Sequence, residues 1–273
     1  MNRTDTVLIA VDLLPSCEGT IKEARRVAEA LDAELVLLHA VPVPTMPEFG
    51  DDTLGDRERA ETRCRERAAE LAQEGARVRL DPIVEVGCLS DVLLKAARAH
   101  PTALVVLGSG SKTKLERLLL GSNVETLLGE CPRPVWIVHA SERRAISRLL
   151  VAVDTSRPTG EALKAGAFLA RKFGARLDLM CVFPESAKRA ASLPKQQDDL
   201  RRYAADVDLD GVEVEYVAWE GEPGARIVEA ASARDSDLLV LGAAGRRGIY
   251  RWLKLPLGEQ VARALPCSLL SVP

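Results

Sequence analysis

The chain has 273 residues, enough for two domains of the commonest size, each able to bury its own core. Apolar residues make up 47% and charged residues 28%, and the net charge is only −3, so no bulk field attracts nucleic acid or an anionic membrane. Six cysteines without a C-x-x-C pair, and only three histidines, indicate neither a disulfide framework nor a zinc or His-rich metal centre.

The opening MNRTDTVLIAVD carries an apolar run of five residues that ends at Asp12, too short for a secretory signal or a membrane span. A cytoplasmic location is therefore expected. VLIAVD reads as a first strand, a Pro-Ser turn follows, and EGTIKEARRVAEALD carries apolar residues at helical spacing. ELVLLHAV is a second buried strand, and the proline-rich PVPTMPEFGDDTLG is a loop. Residues 56–73 predict a helix, about 77–86 a third strand ending at Gly87, and about 89–99 another helix. ALVVLG and PVWIVHA are the fourth and fifth strands.

From LLVAVD onward the series repeats: helix 158–173, RLDLMCVF, a helix near 196–206, VEVEYVAW, a helix from about 223, DLLVLG and SLLSV. Residues 7–41 align with 149–183 at an offset of 142, and 84–138 with 218–272 at an offset of 134, so the second copy is shorter by eight residues. Asp12 falls on Asp154, Gly87 on Gly221 and Gly108 on Gly242. An internal repeat of this length means two domains, expected at 1–140 and 147–273 with SERRAISR as linker. Strands apolar on both faces and alternating with helices predict, in each domain, a doubly wound α/β fold with a five-stranded parallel sheet in the order 3-2-1-4-5. The order reverses between strands one and four, so their carboxyl ends, at Asp12 and Gly108 and at Asp154 and Gly242, flank the expected ligand crevice. The short linker predicts packing of the copies as a pseudo-dimer through their fifth strands, and leaves open a further homodimer.

After the fourth strand the first copy reads GSGSKTKLERLLLGSN, from Gly108 to Asn123. With the aspartate closing strand one, the His-x-Val-Pro region ending strand two and the glycine after strand three, this resembles the universal stress protein family, of adenine nucleotide alpha hydrolase-like fold, in a tandem form. Nucleotide-binding members carry G-x-x-G, nine residues, then G-S or G-T at this place. The resemblance implies an adenine nucleotide (ATP, ADP or AMP), with or without Mg2+, bound by Ala10, Val11, Asp12, Val41, Leu107, Gly108, Gly110, Ser111, Gly121, Ser122 and Asn123. The chemistry suits those residue types. Glycines let main-chain N–H groups approach phosphate, Gly121-Ser122 stands where a helix begins, and Asp12 can accept from an adenine amino group or a ribose hydroxyl.

The pattern is imperfect. Ser111 replaces the second glycine of the first copy, and Leu255-Pro256 stand in the second copy where the first has Gly121-Ser122. Leucine adds bulk and proline offers no N–H, so Asp154, Gly242 and Gly245 mark at most a degenerate second site. Plainer roles compete: Asp12 and Asp154 as turn caps, Gly108 and Gly121 as turn glycines, His39 as a core histidine, and Lys112, Lys114 and Arg117 as a solvated face. A redox role for Cys131 or Cys267, near the fifth strands, has nothing beside it in sequence to support it.

No cluster of acid, base, nucleophile or metal ligand accompanies the glycines, so at most slow ATP hydrolysis is expected. A regulatory adenine-nucleotide module of the stress response is the first expectation. A nucleotide-independent interaction protein with both sites decayed is its rival, and a flavin or electron-transfer relative a weaker third.

Overall fold

The computed structural model describes residues 4–43, 53–109, 122–139, 145–154, 160–183, 193–242 and 266–273. They fall into two compact units, the first within residues 3–140 and the second within 141–273. The first unit contains β1 (Thr6–Ala10), α1 (Glu18–Leu31), β2 (Glu34–Val41), α2 (Thr53–Gln73), β3 (Ile83–Val86), α3 (Leu89–Ala99), β4 (Ala103–Gly108), α4 (Ser122–Glu130) and β5 (Val135–Val138). Its strands are all parallel, in the order β3-β2-β1-β4-β5.

The second unit contains β6 (Arg148–Ala152), α5 (Glu161–Phe173), β7 (Arg176–Phe183), α6 (Leu193–Ala204), β8 (Val214–Glu220), α7 (Pro223–Ala233), β9 (Leu238–Gly242) and β10 (Ser268–Val272). The same order recurs as β8-β7-β6-β9-β10. Pairing registers repeat under the sequence offsets: Val7 opposite Leu35 becomes Leu149 opposite Leu177, and Val7 opposite Leu104 becomes Leu149 opposite Leu238.

The inner strands are buried along most of their length, β1 and β10 at every position, as expected of a parallel sheet covered on both faces, whereas the edge strands β3 and β8 are largely half-exposed. On α1, Ile21, Ala24, Val27, Ala28 and Leu31 make the buried stripe, with the spacing of one helical face. Both α1 and α5 end in a left-handed residue, Asp32 at φ 53° and Gly174 at φ 61°, each donating its N–H back to the last turn. Glycine adopts that conformation without steric cost and aspartate does not, so one cap geometry survives two residue choices.

Boundaries moved in both units, and in the second α5 starts at Glu161 and α6 at Leu193, each three residues from its expected start. α2 begins at Thr53, three residues before the expected start. β3 is only Ile83–Val86, with a single bridge from Val78 to Leu35 in place of the expected first half. Pro82 separates the two stretches and brings no N–H to the ladder, which an edge strand tolerates as an interruption.

Candidate functional site

In the first unit the main chain past β1 stays tied to β2, with Val11 N–H donating to Leu38 O at 2.9 Å and His39 Nδ1 donating to Val11 O at 2.7 Å. His39 therefore positions the residue before Asp12, from the end of the neighbouring strand. Asp12 is exposed, and its carboxylate is already partly engaged: Oδ1 accepts from Leu14 N–H at 2.9 Å and Oδ2 from Ser16 Oγ at 3.4 Å. Between them Leu13 holds φ 58°, a left-handed conformation that costs a non-glycine residue about 1–3 kcal/mol. Arg63 of α2 donates to Leu13 O at 2.6 Å and so helps hold that turn.

Beside Asp12, Ala10, Val11, Val41 and Leu107 are all buried. Three strand ends of the same unit carry exposed apolar side chains, Leu14 after β1, Val43 after β2 and Val86 at the end of β3. Gly108 closes β4, and the next amide, Ser109 N–H, is used on Val138 O at 3.0 Å. Ser122 and Asn123 are the first two residues of α4. The Asn123 Oδ1 accepts from Ser90 N–H and from the Cys88 thiol, both at 3.3 Å, and so binds α4 to the start of α3. Gly110, Ser111, Gly121 and the basic residues Lys112, Lys114 and Arg117 lie outside the described residues.

The repeated strand-three glycine has a physical reason. Gly87 at φ 151° donates its N–H to Val41 O at 2.9 Å, and Gly221 at φ 137° does the same to Phe183 O at 2.9 Å. Each fixes the end of the edge strand to its neighbour, in a conformation side-chain-bearing residues rarely adopt.

In the second unit Val153 N–H donates to Met180 O at 2.9 Å, the counterpart of the Val11 contact, and Asp154 is exposed. Tyr203 of α6 differs from anything in the first unit: burial pushes its phenol pKa up, and the neighbouring Asp154 charge adds to the shift. A phenol thus stands near the aspartate of this copy. Gly242 ends β9, while Gly245, Leu255 and Pro256 lie outside the described residues.

Cys88 was not singled out by the sequence, although a cysteine directly after a strand-ending glycine, at a helix N-cap, was the available signal. It is exposed, and the other five cysteines are buried. Hydrogen bonds from Ser90, first through its side chain and then its backbone, lower the Cys88 pKa, whereas burial pushes Cys17 and Cys64 up to about 11. Burial also raises the Cys131 thiol pKa. Iodoacetamide on the native protein should label Cys88 roughly tenfold faster than the other five cysteines, because the thiolate is the nucleophile and only this one is accessible. Peptide mass mapping of a time course checks it, and comparable labelling of Cys131 would contradict the burial described.

Among the described residues no group of three or more His, Cys, Asp or Glu side chains is placed to hold a metal ion, and no helix is long and apolar enough to cross a membrane.

Comparison with known proteins bears on the whole chain. The model of the universal stress protein family matches residues 3–139 and again 145–273. A universal stress protein encoded in the 3′ region of a QAH/OAS sulfhydrylase of Thermus aquaticus is 31% identical over 138 residues, which is 49% of this chain and 98% of that protein. A universal stress protein E homolog of Haemophilus influenzae is 27% identical over 193 residues, 62% of this chain and 61% of its own. Among solved structures, a universal stress protein of Archaeoglobus fulgidus superposes with a TM-score of 0.74 at 20% identity, covering 98% of this chain and 97% of that one.

Proposed function

Because this chain belongs to the universal stress protein family, we propose that its first unit binds ATP, ADP or AMP as a cytoplasmic regulatory module of the stress response. The turn after β1 is the observation that carries this. Two protein donors and a strained Leu13 hold the Asp12 carboxylate at the edge where the strand order reverses. Each carboxylate oxygen spends one acceptor position on the turn, which leaves capacity for ribose hydroxyls or an amino group. Buried Val11, Val41 and Leu107, with exposed Leu14, Val43 and Val86 outside them, suit a planar base. The start of α4, at Ser122 and Asn123, offers the free amides that phosphate prefers. Gly108, Gly110, Ser111 and Gly121 complete the proposed phosphate cradle. Mg2+ would arrive with the phosphates, since among the described residues no group of three or more His, Cys, Asp or Glu side chains is placed to hold a metal ion.

The rival, an interaction module without nucleotide, draws on Ser109 N–H and the Asn123 oxygen, both already committed to protein partners. Two measurements separate them. Denaturing the purified protein should release adenine nucleotide into the supernatant, and ATP at a hundredfold excess over its dissociation constant should add about 2.7 kcal/mol of stability. A Gly121→Asp variant should lose that gain. No carried nucleotide and no melting shift in the wild type would favour the interaction module.

A further inference from the structure

Asn123 is the second residue of α4, yet its side-chain oxygen reaches α3, accepting from the buried Ser90 N–H at 3.3 Å and from Cys88 Sγ at 3.3 Å. Cys88 Sγ lies 3.2 Å from Ser90 Oγ, so three groups close around one point. The other side of that point is also anchored, because Gly87, the residue before Cys88, donates to Val41 O at 2.9 Å. A short run of bonds therefore connects the end of β2 with the first turn of α4 through the start of α3. No signal in the sequence pairs residues 88–90 with 123, which lie more than thirty positions apart.

We infer that Asn123 is a positioning residue, a latch that holds the first turn of α4 in place against the strand ends and so sets affinity for the anionic part of the ligand. The inference rests on the nucleotide-binding role proposed for the first unit. Its physical content is that main-chain amides at a helix start bind an anion only while aimed at one point, and aim depends on the contacts behind them. Val41, at the base end of the proposed site, and α4, at its phosphate end, share a single framework through Gly87, Ser90 and Asn123. Because the Gly87 bond to Val41 does not involve Asn123, loss of the latch should be felt at the phosphate end alone.

Three measurements on the full chain test it, using Asn123→Ala. Affinity for ATP should fall roughly fivefold to tenfold, the worth of one or two ordinary hydrogen bonds, while affinity for adenosine, which has no phosphate, should stay within twofold. In the nucleotide-free protein the Ser90 amide should lose about fivefold in hydrogen-exchange protection, together with Thr126, Leu127 and Leu128 in the second turn of α4. Equal loss for ATP and adenosine would reduce Asn123 to general stability and overturn the inference. Weaker ATP binding with unchanged exchange would make Asn123 a direct ligand contact, and would overturn it too. A wild type that binds neither compound would remove the nucleotide-binding role, and the exchange arm would still decide the latch, since unchanged protection at Ser90 refutes it.

Discussion

Asp178→Asn is expected to destabilise the second unit by about 3–5 kcal/mol, the cost of leaving a buried charge without its partner. Asp178 sits in β7 at 0% exposure and takes a two-pronged contact from Arg234, Nε to Oδ2 at 2.6 Å and Nη2 to Oδ1 at 3.1 Å. Arg176 Nε at 3.6 Å and Arg148 Nε at 4.0 Å complete its surroundings. Arg234 also reaches Glu215 at 2.5 Å, and Arg176 pairs with the same carboxylate, so Arg234 keeps one partner when Asp178 is neutralised. That retained contact favours the lower end of the range. The first copy has Val36 at the Asp178 position and His100 at the Arg234 position, so the fold does not require this ion pair. Accordingly Asp178→Val combined with Arg234→Leu should recover most of the loss, since a buried pair exchanged for apolar side chains is often neutral.

Chemical denaturation monitored on the single and double variants reads both effects. A loss below about 1 kcal/mol for Asp178→Asn would show the carboxylate to be hydrated rather than buried. The pH dependence has a defined sign. Hydrogen bonding to Arg234, then its charge and that of Arg176, depress the Glu215 pKa in the folded state. Its contribution is thus complete above the ordinary carboxylate range and disappears as the pH falls through the depressed folded value.

Asp12→Ala is expected to weaken ATP binding by roughly tenfold to a hundredfold, the worth of charge-assisted hydrogen bonds to the ligand, whereas Asp154→Ala leaves it unchanged. The two aspartates occupy equivalent places in the repeat, both are exposed, and each follows a main chain tied to the neighbouring strand. Their neighbours differ: Asp12 orders its own turn through Leu14 and Ser16, while Asp154 lies beside the half-buried Tyr203. Titration calorimetry on both variants measures the asymmetry, with melting temperature as a check that the turn at 12–16 has not unfolded the unit. Equal losses for both would place functional sites in both copies. No loss for Asp12→Ala would leave Asp12 as a turn cap only.

The two-domain organisation and the strand order were legible because the pattern is redundant. Apolar runs at Val7–Val11 and Leu104–Leu107 recur at fixed offsets, and Gly87 and Gly221 recur at positions whose backbone needs glycine. Asp12 was legible as a strand-end residue and as a candidate turn cap, and the structure shows its carboxylate serving the turn. The contacts of Asn123 and Cys88, the guanidinium of Arg63 on Leu13 O, and the ion cluster around Asp178 were not. An aspartate inside RLDLMCVF looks the same in sequence whether it meets solvent or three arginines.

The sequence by itself determined the repeat, the alternation of strand and helix and the family, because hydrophobic periodicity and turn chemistry are local and were written twice. Only the tertiary structure decided which polar atoms are spent on distant partners: Ser109 N–H on Val138, Asn123 on the start of α3, and Asp178 on Arg234. Hydrogen bonds and ion pairs act over a few ångströms and join residues dozens of positions apart, so their partners exist only once the chain has folded.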